Sequence, residues 1–171
     1  MTKTVANCVL AGLLILTGIQ IGCSRNQAEV RCPEEAENAA VEKLDYTKSL
    51  EGITTIEDAV NKVTTALSAQ GFGVVTDMDV QAIMKKKLGK EMRPYRILGA
   101  CNPKLAHQAI EQENTMGLLL PCKVILYQTA DDQFWVSFAR PSAVFQLVQN
   151  PSLAPIAGEV DTLIRQVFES L

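Results

Sequence analysis

The chain carries five cysteines, at positions 8, 23, 32, 101 and 122, and a single histidine, His107. One histidine excludes a multi-histidine metal site built by a single chain, so thiols are the first reactive groups to weigh. Cys101 stands directly before Asn102-Pro103, a good N-cap followed by a good first helical residue. The backbone N–H groups and dipole of that helix start, with Lys104 nearby, predict a stabilised thiolate at Cys101. Cys122 follows Pro121 at the start of an expected strand, and neighbouring strands would bring the two sulfurs within bonding distance. Twenty residues intervene and no Cys-x-x-Cys fixes the geometry, so three readings stay open. The pair is a structural or redox-labile disulfide, as suits an exported protein; or two buried thiols that pack; or a metal, haem or covalent-substrate site made by Cys101, Cys122 and His107, with further ligands from a partner chain. His107 lies about one and a half turns into its helix, where a polar face accounts for it. No nucleophile elbow, Walker loop or His-Glu-x-x-His occurs, the acid pairs sit at caps and turns, and no motif calls for a cofactor.

Three of the cysteines lie ahead of the folded part. Residues 1–22 hold one charge, Lys3, and the apolar run from Val9 to Ile19, followed by Ile21-Gly22-Cys23-Ser24. This arrangement resembles a bacterial lipoprotein signal, which implies lipidation of Cys23 as the mature N-terminus. The alternatives are an uncleaved membrane anchor, interrupted by Asn7 and Gln20, and a soluble secreted product. All three place the domain outside the cytoplasm, in a bacterial envelope facing the periplasm. Residues 23–43 are rich in Glu, Asn, Gln and Ala and read as a flexible tether, on which Cys32 is a free thiol or a link between two chains.

Residues 44–171 have the pattern of a single folded domain, and 171 residues accommodate one such domain with these extras. Composition is 47% hydrophobic and 20% charged, with a net charge of −3. Loss of Lys3 with the leader makes the balance more acidic, so the chain lacks the basic excess that nucleic-acid binding requires. Leu44–Leu50 alternates as a strand. Thr54 with Glu57 forms a capping-box signature for a helix that Gly71 ends. Phe72–Met78 reads as a strand, and Asp79 caps a helix through Leu88. That helix ends in Lys85-Lys86-Lys87 with Lys90, a solvated end or an anion site. Pro94–Ala100 is a strand and Pro103–Gln112 a helix. Leu118–Gln128 and Phe134–Arg140 form a hairpin around Thr129–Asp132, with Tyr127 and Trp135 on facing strands. Pro141 starts a short helix, Asn150-Pro151 breaks it, and a final amphipathic helix begins near Pro155. This mixed order with a terminal hairpin and helix predicts an α+β fold.

Two blocks carry a family likeness: Arg93-Pro-Tyr95-Arg-Ile-Leu-Gly99-Ala-Cys101-Asn102-Pro103, and Gly117-Leu-Leu-Leu-Pro121-Cys122. With the capped helix and Gly71-Phe-Gly-Val74, they make residues 46–171 resemble domain-of-unknown-function family 302. The resemblance implies a curved, mainly antiparallel sheet packed by helices, a homodimer, and no assigned activity. The functional expectation is a membrane-tethered, extracytoplasmic binding or accessory domain without catalysis, holding a small molecule or partner in the concavity of its sheet. The rival is a thiol-redox or thiol-ligand protein centred on Cys101 and Cys122.

Overall fold

The structure is a computed structural model and describes residues 44–171. The leader, the lipidation position Cys23, the tether and Cys32 lie outside the described residues. Five strands form one antiparallel sheet: β1 (Asp45–Ser49), β2 (Gly73–Asp79), β3 (Tyr95–Cys101), β4 (Cys122–Gln128) and β5 (Phe134–Ala139), in the order β1-β5-β4-β3-β2. Among the described residues five α-helices accompany it: α1 (Ile56–Ala69), α2 (Val80–Leu88), α3 (Pro103–Gln112), α4 (Pro141–Val144) and α5 (Ala154–Ser170). This is the α+β architecture expected.

The helices are divided unequally between the two faces. Ala59, Val63 and Leu67 recur every fourth residue along α1, and Val160, Ile164 and Val167 form a stripe on α5. These residues and Leu105 of α3 pack onto Leu98, Ala100, Val124, Leu126, Val136 and Phe138, which alternate along the three central strands. Full burial stabilises each such aliphatic side chain by about 1.5–3 kcal/mol. A smaller second core unites Ala109, Met116, Phe145, Leu153 and Ala157. By contrast α2 buries none of its residues and lies beside β3.

Local chemistry sets the boundaries. Gly71 and Gly89 take left-handed φ values of 77° and 63° at the ends of α1 and α2, as their positions predict. The cap of α1 is Thr55 rather than Thr54: its hydroxyl oxygen accepts from the Asp58 N–H at 3.1 Å and its O–H donates to the Asp58 carboxylate at 2.7 Å. The strand expected from Leu118 begins only at Cys122. Ahead of it Asn114–Leu118 forms a 3₁₀ turn, because Glu113 accepts from the Thr115 N–H and Met116 must enter the second core.

Edge strand β1 is tied to α5 by a polar contact. Tyr46 donates its hydroxyl to Asp161 at 2.9 Å, Ser142 donates at 3.0 Å, and Arg165 at 3.3 Å. The guanidinium carbons of Arg140 and Arg165 lie 5.0 and 5.6 Å from the Tyr46 ring centre. Burial pushes the Asp161 carboxyl up, but the hydrogen bonds from Tyr46, Ser142 and Arg165 outweigh it and hold it below its usual range. A lowered folded value contributes stability above the unfolded carboxyl value, about 3.9. That stability is lost as the pH falls through the folded value. Asp161→Asn is therefore expected to lower the urea midpoint at pH 7 by the equivalent of about 1–3 kcal/mol. It should also flatten the stability profile below about pH 4 relative to wild type; an unchanged profile contradicts this role for Asp161.

Candidate functional site

Antiparallel pairing of β3 with β4 places Ala100 opposite Cys122, so Cys101, the last residue of β3, adjoins the first residue of β4. Both cysteines are free and only partly exposed. They share the lining of a cleft with Phe72, Leu105, Phe145 and Val160, whose volume is about 10 Å³. That is at most the space of one water molecule. Burial pushes the Cys122 thiol up to about 11, reinforced by the adjacent Cys101 and opposed by Lys123. Burial also raises Cys101. The direction is opposite to the lowering expected from the helix start, and its cause is desolvation of the charged form. Both sulfurs stay protonated at neutral pH and are weak nucleophiles.

His107 does not join them. Its side chain is 73% exposed and meets Glu111 at 3.3 Å, one turn further along α3. Among the described residues no group of three or more His, Cys, Asp or Glu is placed to hold a metal ion. Site-resolved alkylation of the folded full chain checks the thiol chemistry. At pH 7.5 Cys122 is expected to react roughly a hundredfold more slowly than an unperturbed thiol, with the rate rising steeply with pH. Reaction at the free-thiol rate contradicts this burial.

The opposite face of the sheet is built differently. Alternation places Tyr95, Ile97 and Gly99 of β3, Lys123, Ile125 and Tyr127 of β4, and Trp135 and Ser137 of β5 away from the main core. Register aligns them across the strands: Met78, Ile97, Ile125, Ser137 and Thr47 form one row, and Tyr95, Tyr127, Trp135 and Ser49 the next. The Tyr95 and Tyr127 rings stack with centres 6.0 Å apart. Burial and then the charge of Asp45 push the Tyr127 hydroxyl up, so it remains a proton donor. Toward β1 the face turns polar, where Ser137, Thr47 and Asp45 hydrogen-bond to one another.

Between α2 and this face runs a groove of about 630 Å³, lined by Thr76, Met78, Ala82, Ile83, Ile97 and Pro121, with Asp77, Asp79, Lys86 and Lys123 also on its wall. The volume suits a small organic ligand. Gly99 lies against two of its lining residues. A Cβ there would lie 2.3 Å from the Thr76 Oγ1 and 2.4 Å from the Pro121 Cγ, so only glycine lets those two side chains close over β3.

The signature residues resolve into structural and face-forming roles. Asn102 accepts from the Leu105 N–H at 3.3 Å and Pro103 begins α3. Arg93 pairs with Asp132 of the hairpin turn at 3.0 Å, beside Tyr95 at the start of β3. Tyr95, Gly99 and Pro121 converge on the open face. The sequence pattern puts Tyr127 and Trp135 on facing strands and marks Lys86 only as part of a solvated helix end or anion site; it does not single out Met78, Ile83 or Ile97. A signal for Ile97 is present in the near-continuous apolar runs of β3 and β4, which mark strands needing cover on both faces.

The chain is therefore a small α+β domain with one helix-packed and one largely open sheet face, and no constellation of activated nucleophile, base and oxyanion donors among the described residues. It belongs to the family of the domain of unknown function DUF302, whose model matches residues 46–171. Its fold is similar to the crystal structure of an uncharacterized conserved protein DUF302 from Bacillus stearothermophilus, with 24% sequence identity and a TM-score of 0.67. That match covers 74% of this chain and 96% of the other. No curated protein matches the chain.

Proposed function

We propose that the chain is a membrane-tethered binding domain of a bacterial envelope, without catalysis, that holds a small molecule in the groove between α2 and the open sheet face. The observation that carries this reading is the groove itself: Met78, Ala82, Ile83, Ile97 and Pro121 line it on a sheet face that α1, α3 and α5 leave uncovered, with Asp77, Asp79, Lys86 and Lys123 around them. Apolar walls with a few polar groups are what a small-molecule site requires. With two lysines and two aspartates around apolar walls, the lining favours a largely apolar ligand bearing a hydrogen-bonding group. The buried, protonated thiols give no comparable support to the redox or thiol-ligand alternative.

Methyl-resolved NMR of the full chain during titration with indole and indole-3-carboxylate tests the groove. Shifts confined to Met78, Ile83, Ile97 and Ile125 support it; shifts around Leu105 and Val160, or none, overturn it. The tether reading rests on the leader and Cys23. It expects a diacylglyceryl mass on Cys23 that a Cys23→Ala variant lacks. The family likeness adds a homodimer, for which sedimentation equilibrium of the full chain in density-matched detergent should give twice the chain mass. Monomer at high concentration removes that part.

A further inference from the structure

Eight large apolar side chains are exposed among the described residues, and the two most exposed are Leu118 at 85% and Leu147 at 72%. They belong to adjoining 3₁₀ turns, Asn114–Leu118 and Phe145–Val148, at the end of the sheet where β4 begins and β5 finishes. Leu118 also lines an apolar channel with Ala139, Pro141, Val144 and Phe145. The chain from Cys23 enters the fold at this same end. Leu44, 51% exposed, accepts a hydrogen bond from the Arg140 N–H at 2.8 Å, and Asp45 pairs with Ala139. Lys123 stands at the margin of the channel. The hairpin turn at Thr129–Asp132, with Glu51 nearby, lies at the opposite end.

We infer that this leucine-bearing end is a membrane-docking surface, with Leu118 and Leu147 inserting into the outer part of a lipid bilayer. The inference rests on the tethered reading above. A lipid on Cys23 and 21 residues to Leu44 allow the domain to wander up to about 70 Å from the surface. Two leucines presented where the chain arrives would instead hold it down in one orientation, as interfacial apolar residues do by burying about 5–10 Å into the headgroup boundary. The groove beside α2 would then keep a fixed attitude to the membrane.

The full chain, reconstituted into phosphatidylethanolamine–phosphatidylglycerol vesicles containing brominated lipid, provides the test. In a Trp135→Phe background, Leu118→Trp and separately Leu147→Trp introduce a single indole at exposed positions, and Asp131→Trp does so at the far end. Quenching by brominated lipid is expected to be at least about twofold stronger for the two leucine variants than for Asp131→Trp. Equal quenching at both ends, in chains that float with the vesicles, overturns docking and leaves the tether standing. Chains that fail to float overturn both. A concentration-dependent blue shift of the Leu118→Trp emission without lipid assigns the surface to a second copy and also overturns docking.

Discussion

Phe138→Ala is expected to destabilise the domain by about 3–5 kcal/mol, a large part of the 5–15 kcal/mol that holds a typical domain folded. Phe138 is fully buried in β5, opposite Tyr46 on one side and Val124 on the other. It meets the Phe168 ring edge-on with centres 6.3 Å apart. Truncation removes one of the contacts that join the sheet to the C-terminal helix and leaves a cavity in a close-packed core. Phe138→Leu, which keeps most of the volume, should cost clearly less. Urea unfolding of the full chain, followed by the fluorescence of its one tryptophan, reads both values. Equal losses for the two variants contradict a packing origin.

Gly99→Val is expected to cost at least about 3 kcal/mol by overpacking, with Gly99→Ala somewhat less. The Thr76 hydroxyl can rotate away from a new Cβ, but the Pro121 ring is fixed to the chain and must move together with Cys122. Pro121→Ala in the Gly99→Ala background should recover part of the loss, whereas on its own it should be destabilising; such coupling is the signature of direct contact. Strict additivity of the two substitutions overturns this assignment. Since Thr76 and Pro121 also line the groove, the substitution should distort the proposed site as well as the fold.

These two positions show what was legible in the sequence. The core face of β5 could be read from its alternation, and helix boundaries from Asp79, Asn102, Gly71 and Gly89, because caps and periodicity are local. The need for glycine at 99 was not legible. It arises from Thr76 and Pro121, each more than twenty residues away in sequence, and no local pattern encodes that meeting. Cys101 fails in a related way. Its helix-start neighbourhood suggested an activated thiol, but burial is set by residues distant in the chain, and burial decides its ionisation. A ligand in the concavity of the sheet is an expectation of the sequence, but the wall that α2 gives the groove was not legible, for the opposite reason. Met78, Ile83 and Ile97 look like ordinary core residues until α2 proves to bury none of its side chains.

The claim that a ligand sits on the open sheet face, and not at the thiols, is tested most directly by native mass spectrometry of the full chain extracted from membranes in mild detergent. A small-molecule adduct is expected on the wild-type chain and on Cys101→Ser, and is expected to disappear in Ile97→Lys. No adduct on the wild type, or one that survives Ile97→Lys and is lost with Cys101→Ser, contradicts it.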